Sequence, residues 1–193
     1  MTHNTEQSRE VLVAMSLRCY QAIGFALFVL MAPHTAVGEA NRDNLAVYMS
    51  NPQPVGSGRL TYVFWDVYDI VLYASNGTFK SGEPYALSLS YLRELSGEEL
   101  AERSVEEIEE QGFTDKKRLA AWQRQMTAIF PDVDEGITLT GVRDQNGNAI
   151  FYSNGKRIGT IKDRRFTRWF FGIWLSKKST LPELRNQLLG RAE

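Results

Sequence analysis

The run GSGRLTYVFWDVYDIVLYA, residues 56–74, constrains this chain more than any other stretch. Residues 58–75 are dense in aromatic and β-branched types, which favour strand. Strict alternation is lacking, and both faces read as mainly apolar, so cover is expected on both. The run is long for one flat strand, so two strands, or one with a bulge, are expected, broken near Trp65–Asp66. The run nonetheless carries Arg59, Asp66, Asp69 and several hydroxyls. Polar groups in a sheet core need partners. Two readings stand open: a satisfied network, with Arg59 paired to Asp66 or Asp69, or the polar lining of a ligand cavity. Ahead of the run, Pro52 and Pro54 mark an extended lead-in, and Gly56-Ser57-Gly58 reads as a flexible entry. That glycine pair is too short for a dinucleotide fingerprint.

The period-two pattern returns in residues 83–93, where Tyr85, Leu87, Leu89 and Tyr91 share a face. Tyr91 and Arg93 end this strand and are expected on opposite faces, with Arg93 available to Glu94. Ser96 and Glu99 then form a capping box, opening a helix whose inner stripe is Ala101, Val105 and Ile108. Glu107 lies at the margin of that stripe, and Gly112 ends the helix. A second helix starts around Thr114, with Leu119, Trp122, Met126 and Ile129 at helical spacing and Pro131 beyond it. From Gly136 the pattern reads as a three-stranded meander to residue 161, with turns at Asn146–Gly147 and Asn154–Gly155. RFTRWFFGIWL reads as a helix. Thr180 and Glu183 suggest a second capping box for a final helix with Leu181, Leu184 and Leu188 inward, closed by Gly190. Strands, helices, strands, helices in that order imply an α+β fold, a mostly antiparallel sheet covered by helices.

The N-terminal part has a different logic. Arg18 precedes an apolar run, Ala22 to Ala32, that Pro33 ends; Ala36 and Gly38 then suit cleavage before Glu39. The run is short against the roughly 20 residues of a membrane span. Residues 1–38 are therefore expected to be a secretory signal and residues 39–193 the folded domain, exported to the periplasm without a stable membrane span after cleavage. An uncleaved anchor and a buried helix are the alternatives. The single cysteine, Cys19, falls inside the segment, so the mature chain would carry no thiol, consistent with an oxidising compartment.

Composition removes whole classes of chemistry. The net charge of -1 gives no general reason to expect nucleic acid. The two histidines, His3 and His34, both precede the expected mature start. No zinc site, histidine-activated serine or cysteine nucleophile is expected, nor any metal or cofactor. PDVDEG is far shorter than a calcium loop. What is left is arginine and phenol chemistry: Arg59 as a clamp for a carboxylate or an enolate-like oxygen, with Tyr62 and Tyr68 as hydrogen-bond donors on a cavity wall. Tyr91 and Glu107 are further candidates.

GSGRLTYVFWDVYDIVLYA, YLRELSGEELAERSVEEI, FFGIWLSKK and LPELRNQLLG together resemble the chalcone isomerase-like proteins, specifically a bacterial exported branch, over most of residues 55–190. The resemblance implies an open-faced β-sandwich, with a ligand cleft between a large antiparallel sheet and its helices. Members of the family either interconvert a chalcone and a flavanone without a cofactor or bind fatty acids without chemistry. The family arginine corresponds to Arg59. Tyr68 falls where the enzymes have a threonine, Leu100 where they have the catalytic tyrosine, and Glu107 where they have an asparagine. With Leu100 lacking a hydroxyl, the resemblance favours a non-catalytic binder of an apolar carboxylate such as a fatty acid. The ligand class is small, apolar or aromatic. A cofactor-independent isomerase using Arg59 and Tyr68, and a structural protein with a filled cleft, are the alternatives.

Overall fold

A computed structural model describes residues 44–191 of the chain. The expected signal, its cleavage point, Cys19 and both histidines lie outside the described residues. The element order is β1 (Pro52–Tyr62), β2 (Trp65–Ser75), β3 (Tyr85–Tyr91), α1 (Gly97–Glu110), α2 (Lys116–Thr127), β4 (Thr138–Arg143), β5 (Ala149–Ser153), β6 (Lys156–Ile161), α3 (Arg164–Leu175) and α4 (Pro182–Leu188). The six strands form one antiparallel sheet in sequence order. The helices pack on one face, giving the open-faced α+β architecture expected from the sequence.

The long apolar run is a hairpin. Its break falls at Val63–Phe64, slightly before the expected position, and β1 begins at Pro52, inside the expected lead-in. Prolines are tolerated there because β1 is an edge strand. Two bulges shape the pair. Opposite Pro54 and Gly56 stand Tyr73 and Leu72, so Val55 is the extra residue of β1. Opposite Leu60 and Thr61 stand Tyr68 and Asp66, so Val67 is the extra residue of β2. Gly56-Ser57-Gly58 is not a flexible entry. It is mid-strand, and a Cβ on Gly56 would lie 2.1 Å from the backbone oxygen of Gln187. The small residues seat α4 against β1.

Alternation divides the sheet cleanly. Tyr85, Leu87, Leu89 and Tyr91 face the helices with Ile70, Leu72, Ala149 and Phe151 in the main core. On the reverse face, Ser88 and Ser90 meet Thr140 and Thr138 across the strands, each at 3.0 Å. Leu45 and Met49 cover Ala86, Val142 and Ile150 there. Both faces are thus covered in part.

The helix signals act locally. Ser96 and Glu99 form the capping box of α1. Asp163 caps α3 by accepting from the amides of Arg165 and Phe166, and also accepts from Trp122 Nε1 at 3.0 Å, tying α2 to α3. The expected capping box of α4 is absent. Leu181 is the N-cap and makes no side-chain cap bond, while Thr180 Oγ1 donates to Glu107 Oε2 at 2.6 Å instead. A buried carboxylate outcompetes an exposed helix end for that hydroxyl.

Candidate functional site

Between the sheet and the helices lies a cavity of about 460 Å³, within the range of ligand pockets. Its inner wall is core: Leu87 and Leu89 from β3, Phe151 from β5, and Phe170, Phe171 and Trp174 from α3. Its outer wall includes exposed or half-exposed side chains, namely Tyr62, Arg93, Glu99 and Arg103.

Five of the six residues singled out from the sequence line this cavity: Tyr62, Tyr68, Tyr91, Leu100 and Glu107. Arg59 does not. It stands opposite Asp69 in the β1–β2 ladder, one position from Leu60, which lines the cavity, and so points to the other face. Its Nε and Nη2 donate to Asp69 at 2.6 and 2.9 Å, and its Nη1 donates to Asp66 at 2.8 Å. Thr61 Oγ1 donates to Asp66 Oδ1 at 2.6 Å. The Val67 bulge explains the grouping, because the extra residue reverses the parity of β2. Asp66 joins Asp69 on the outer face, and Val67 turns into the cavity wall. Of the two readings left open for Arg59, the paired network is the one the geometry takes.

Tyr68 and Tyr91 are cross-strand partners whose rings meet edge to face at 5.7 Å. Trp174 Nε1 donates to Tyr68 Oη at 2.9 Å. Burial pushes both phenols well above their ordinary value of 10. They remain neutral at physiological pH, able to donate hydrogen bonds but not to act as phenolate bases. Glu107 is buried and held on both oxygens, by Thr180 and by Arg103 Nη2 at 2.5 Å. Leu100 adds only hydrocarbon.

Arg93 is the residue that sequence reasoning undervalued. Tyr91 and Arg93 were expected on opposite faces, but both line the cavity: Tyr91 ends β3, and Arg93, two residues further along the chain, returns to the same side. The Arg93 guanidinium lies 5.5 Å over the Trp65 ring, a cation–π contact. It forms no ion pair with a described residue, Glu94 included. Arg103 was also missed. Its position four residues before Glu107 was the available signal. Among the described residues no group of three or more metal-ligating side chains occurs, and no helix is long and apolar enough to cross a membrane.

The sequence pattern of the family described as chalcone isomerase-like matches residues 45–190. An uncharacterised protein of Haemophilus influenzae is 31% identical over 142 residues, covering 73% of this chain and 69% of that protein. A crystal structure of an Arabidopsis thaliana fatty-acid binding protein superposes with a TM-score of 0.57 over 72% of this chain and 87% of its own, at 12% identity. That likeness is one of fold.

Proposed function

The chain belongs to the chalcone isomerase-like family, and from that premise we propose that it binds a single apolar carboxylate, such as a fatty acid, without transforming it. The observation that carries this reading is Arg93, which forms no ion pair with a described residue, although Glu99 lies near enough to feel its charge, and which stands on the wall of a mainly apolar cavity. The tail would lie among the leucines and aromatics of the inner wall. The head would meet Arg93, with Tyr62 beside it. Arg59, spent on two aspartates, is replaced in the anchoring role. The naming of the Arabidopsis relative as a fatty-acid binding protein supports the ligand class.

The alternative is isomerase chemistry by Tyr68 and Tyr91, which stand together in the cavity as neutral donors. It lacks a hydroxyl at Leu100, and buried phenols do not supply a base. One titration separates the readings. Long-chain fatty acid is expected to bind the wild type, and Arg93→Gln is expected to weaken it about 10- to 150-fold, the worth of a charge-assisted contact. The methyl ester, which lacks the charge, should be nearly indifferent to the substitution. Equal affinity of both proteins for the free acid would remove Arg93 as the anchor. Rapid, stereoselective ring closure of a chalcone above its spontaneous rate would favour the isomerase. We further propose that the protein acts in the periplasm, as its N-terminal pattern suggests.

A further inference from the structure

We propose that the tip of the β1–β2 hairpin docks the protein onto a phospholipid bilayer, with Val63 and Phe64 entering the acyl boundary and Tyr62 and Trp65 resting at headgroup level. This goes beyond the ligand reading and does not depend on it. Five large apolar side chains stand exposed among the described residues, and four of them are consecutive: Tyr62 at 67%, Val63 at 68%, Phe64 at 90% and Trp65 at 64%. A contiguous exposed apolar patch marks an interaction site. Four side chains on one turn are few against the roughly 20–30 residues a side of a standard protein interface. A bilayer imposes no such requirement, since it accepts an apolar wedge of any outline.

The order of residues along the hairpin matches the polarity of a membrane surface. The apex is wholly hydrocarbon. The next pair outward is tyrosine and tryptophan, the amphipathic rings that favour the water–lipid boundary. Behind them lie Thr61, Asp66 and the half-exposed Arg59–Asp66–Asp69 network. The turn itself breaks the chemistry that the chain uses elsewhere. Val63 has φ 58°, whereas the other three non-glycine residues with positive φ among the described residues, Asn51, Asn76 and Asn154, are all asparagine. A β-branched residue is strained there. Folding of the hairpin alone would favour asparagine or glycine, so the valine at the apex is explained by what it touches outside the molecule. Tyr62 also lines the cavity, and Trp65 holds Arg93, so a docked tip places the cavity wall beside the lipid.

The tip's nearest charges nearly cancel, with Arg59 and Arg93 against Asp66 and Asp69. Docking should therefore need no anionic lipid and should survive high salt. The test uses the full chain with vesicles of phosphatidylcholine, some carrying brominated acyl chains. Bromolipid is expected to quench a tryptophan emission component that Trp65→Phe abolishes, equally at low and high salt. Phe64→Asp, at a fully solvated position, should leave the circular dichroism unchanged and lower the quenched fraction about tenfold or more. Three results would overturn the proposal: no quenching of Trp65, quenching that persists in Phe64→Asp, or a lipid-free dimer that buries Trp65. Fatty-acid affinity at Arg93 is measured without vesicles, so the two ideas fail separately.

Discussion

Arg59 shows how one side chain changes meaning with its neighbours. An arginine at the head of an apolar strand has two natural fates, ligand clamp or ion pair, and only the strand pairing chooses between them. Here it is half-exposed and bound to two aspartates, with Asp66 further held by Thr61. The Thr61 hydroxyl and then Arg59 hold the Asp66 carboxyl below its usual value. Exposed pairs of this kind contribute little to stability. Arg59→Ala is therefore expected to leave fatty-acid affinity unchanged and stability nearly so. Thr61→Val and Arg59→Ala should each raise the Asp66 pKa, as read by NMR titration of the carboxyl carbons. An unchanged Asp66 pKa in either variant would show that the partner removed does not hold the carboxyl. Arg93 is the reverse case: a residue that the sequence left available to Glu94 stands over Trp65 at the cavity.

At the scale of elements, α3 matters most, since it supplies Phe170, Phe171 and Trp174 to the cavity wall. Its position depends on Asp163, which caps its first turn and accepts from Trp122 of α2. Burial alone would raise the Asp163 pKa, but the hydrogen bonds from Trp122 and the Phe166 and Arg165 amides, with Arg118 nearby, bring it below its usual value. The linkage then has a definite sign. A carboxyl with a lowered folded pKa contributes stability above its unfolded pKa of about 3.9 and loses it as pH falls through the folded value. Asp163→Ala should cost about 1–2 kcal/mol at neutral pH, the usual worth of an N-cap. Its acid unfolding should also be less steep than the wild type below about pH 4. Denaturant melts at pH 7 and pH 3 check both points, and an unchanged difference between the two proteins at the two pH values would contradict them. Much of this element was legible beforehand. The helix was evident in RFTRWFFGIWL, and Asp163, two residues before that run, was a local cap signal left unread; its second partner, Trp122, 41 residues away, was beyond local reading.

At the largest scale, the described residues form one open-faced sheet whose helices leave a cavity rather than filling it. The third expectation, a structural protein with a filled cleft, is at odds with a cavity of about 460 Å³. The N-terminal segment belongs to this scale too, because we propose that it directs where the molecule works. Its order of Arg18, apolar run, Pro33 and small residues at 36 and 38 leads us to expect export and cleavage before Glu39. N-terminal sequencing of protein recovered from the periplasm of intact cells should begin close to Glu39. Recovery of the full-length chain from the cytosol would contradict export, and a full-length membrane-bound chain would indicate an uncleaved anchor.

Local physics was readable from the sequence alone. Period-two alternation in 85–91, the Ser96–Glu99 box, the Asn154–Gly155 turn and the helical stripes each depend on residues within a few positions of one another, and together they implied the α+β class. Tyr62, Tyr68, Tyr91, Leu100 and Glu107 reached the cavity as candidates because a face and a family pattern could be followed along single elements. Only the tertiary structure decided the rest. The extra residue at Val67 reverses the parity of β2, which sends Asp66 outward to Arg59. Thr180 leaves its expected cap for a carboxylate 73 residues earlier. Glycines 56 and 58 serve α4 rather than the chain's flexibility. For Thr180 and the glycines the deciding partner is distant in sequence, for Asp66 it lies across the hairpin, and a polar group's choice among partners depends on which of them the assembled sheet and helices bring within hydrogen-bond reach.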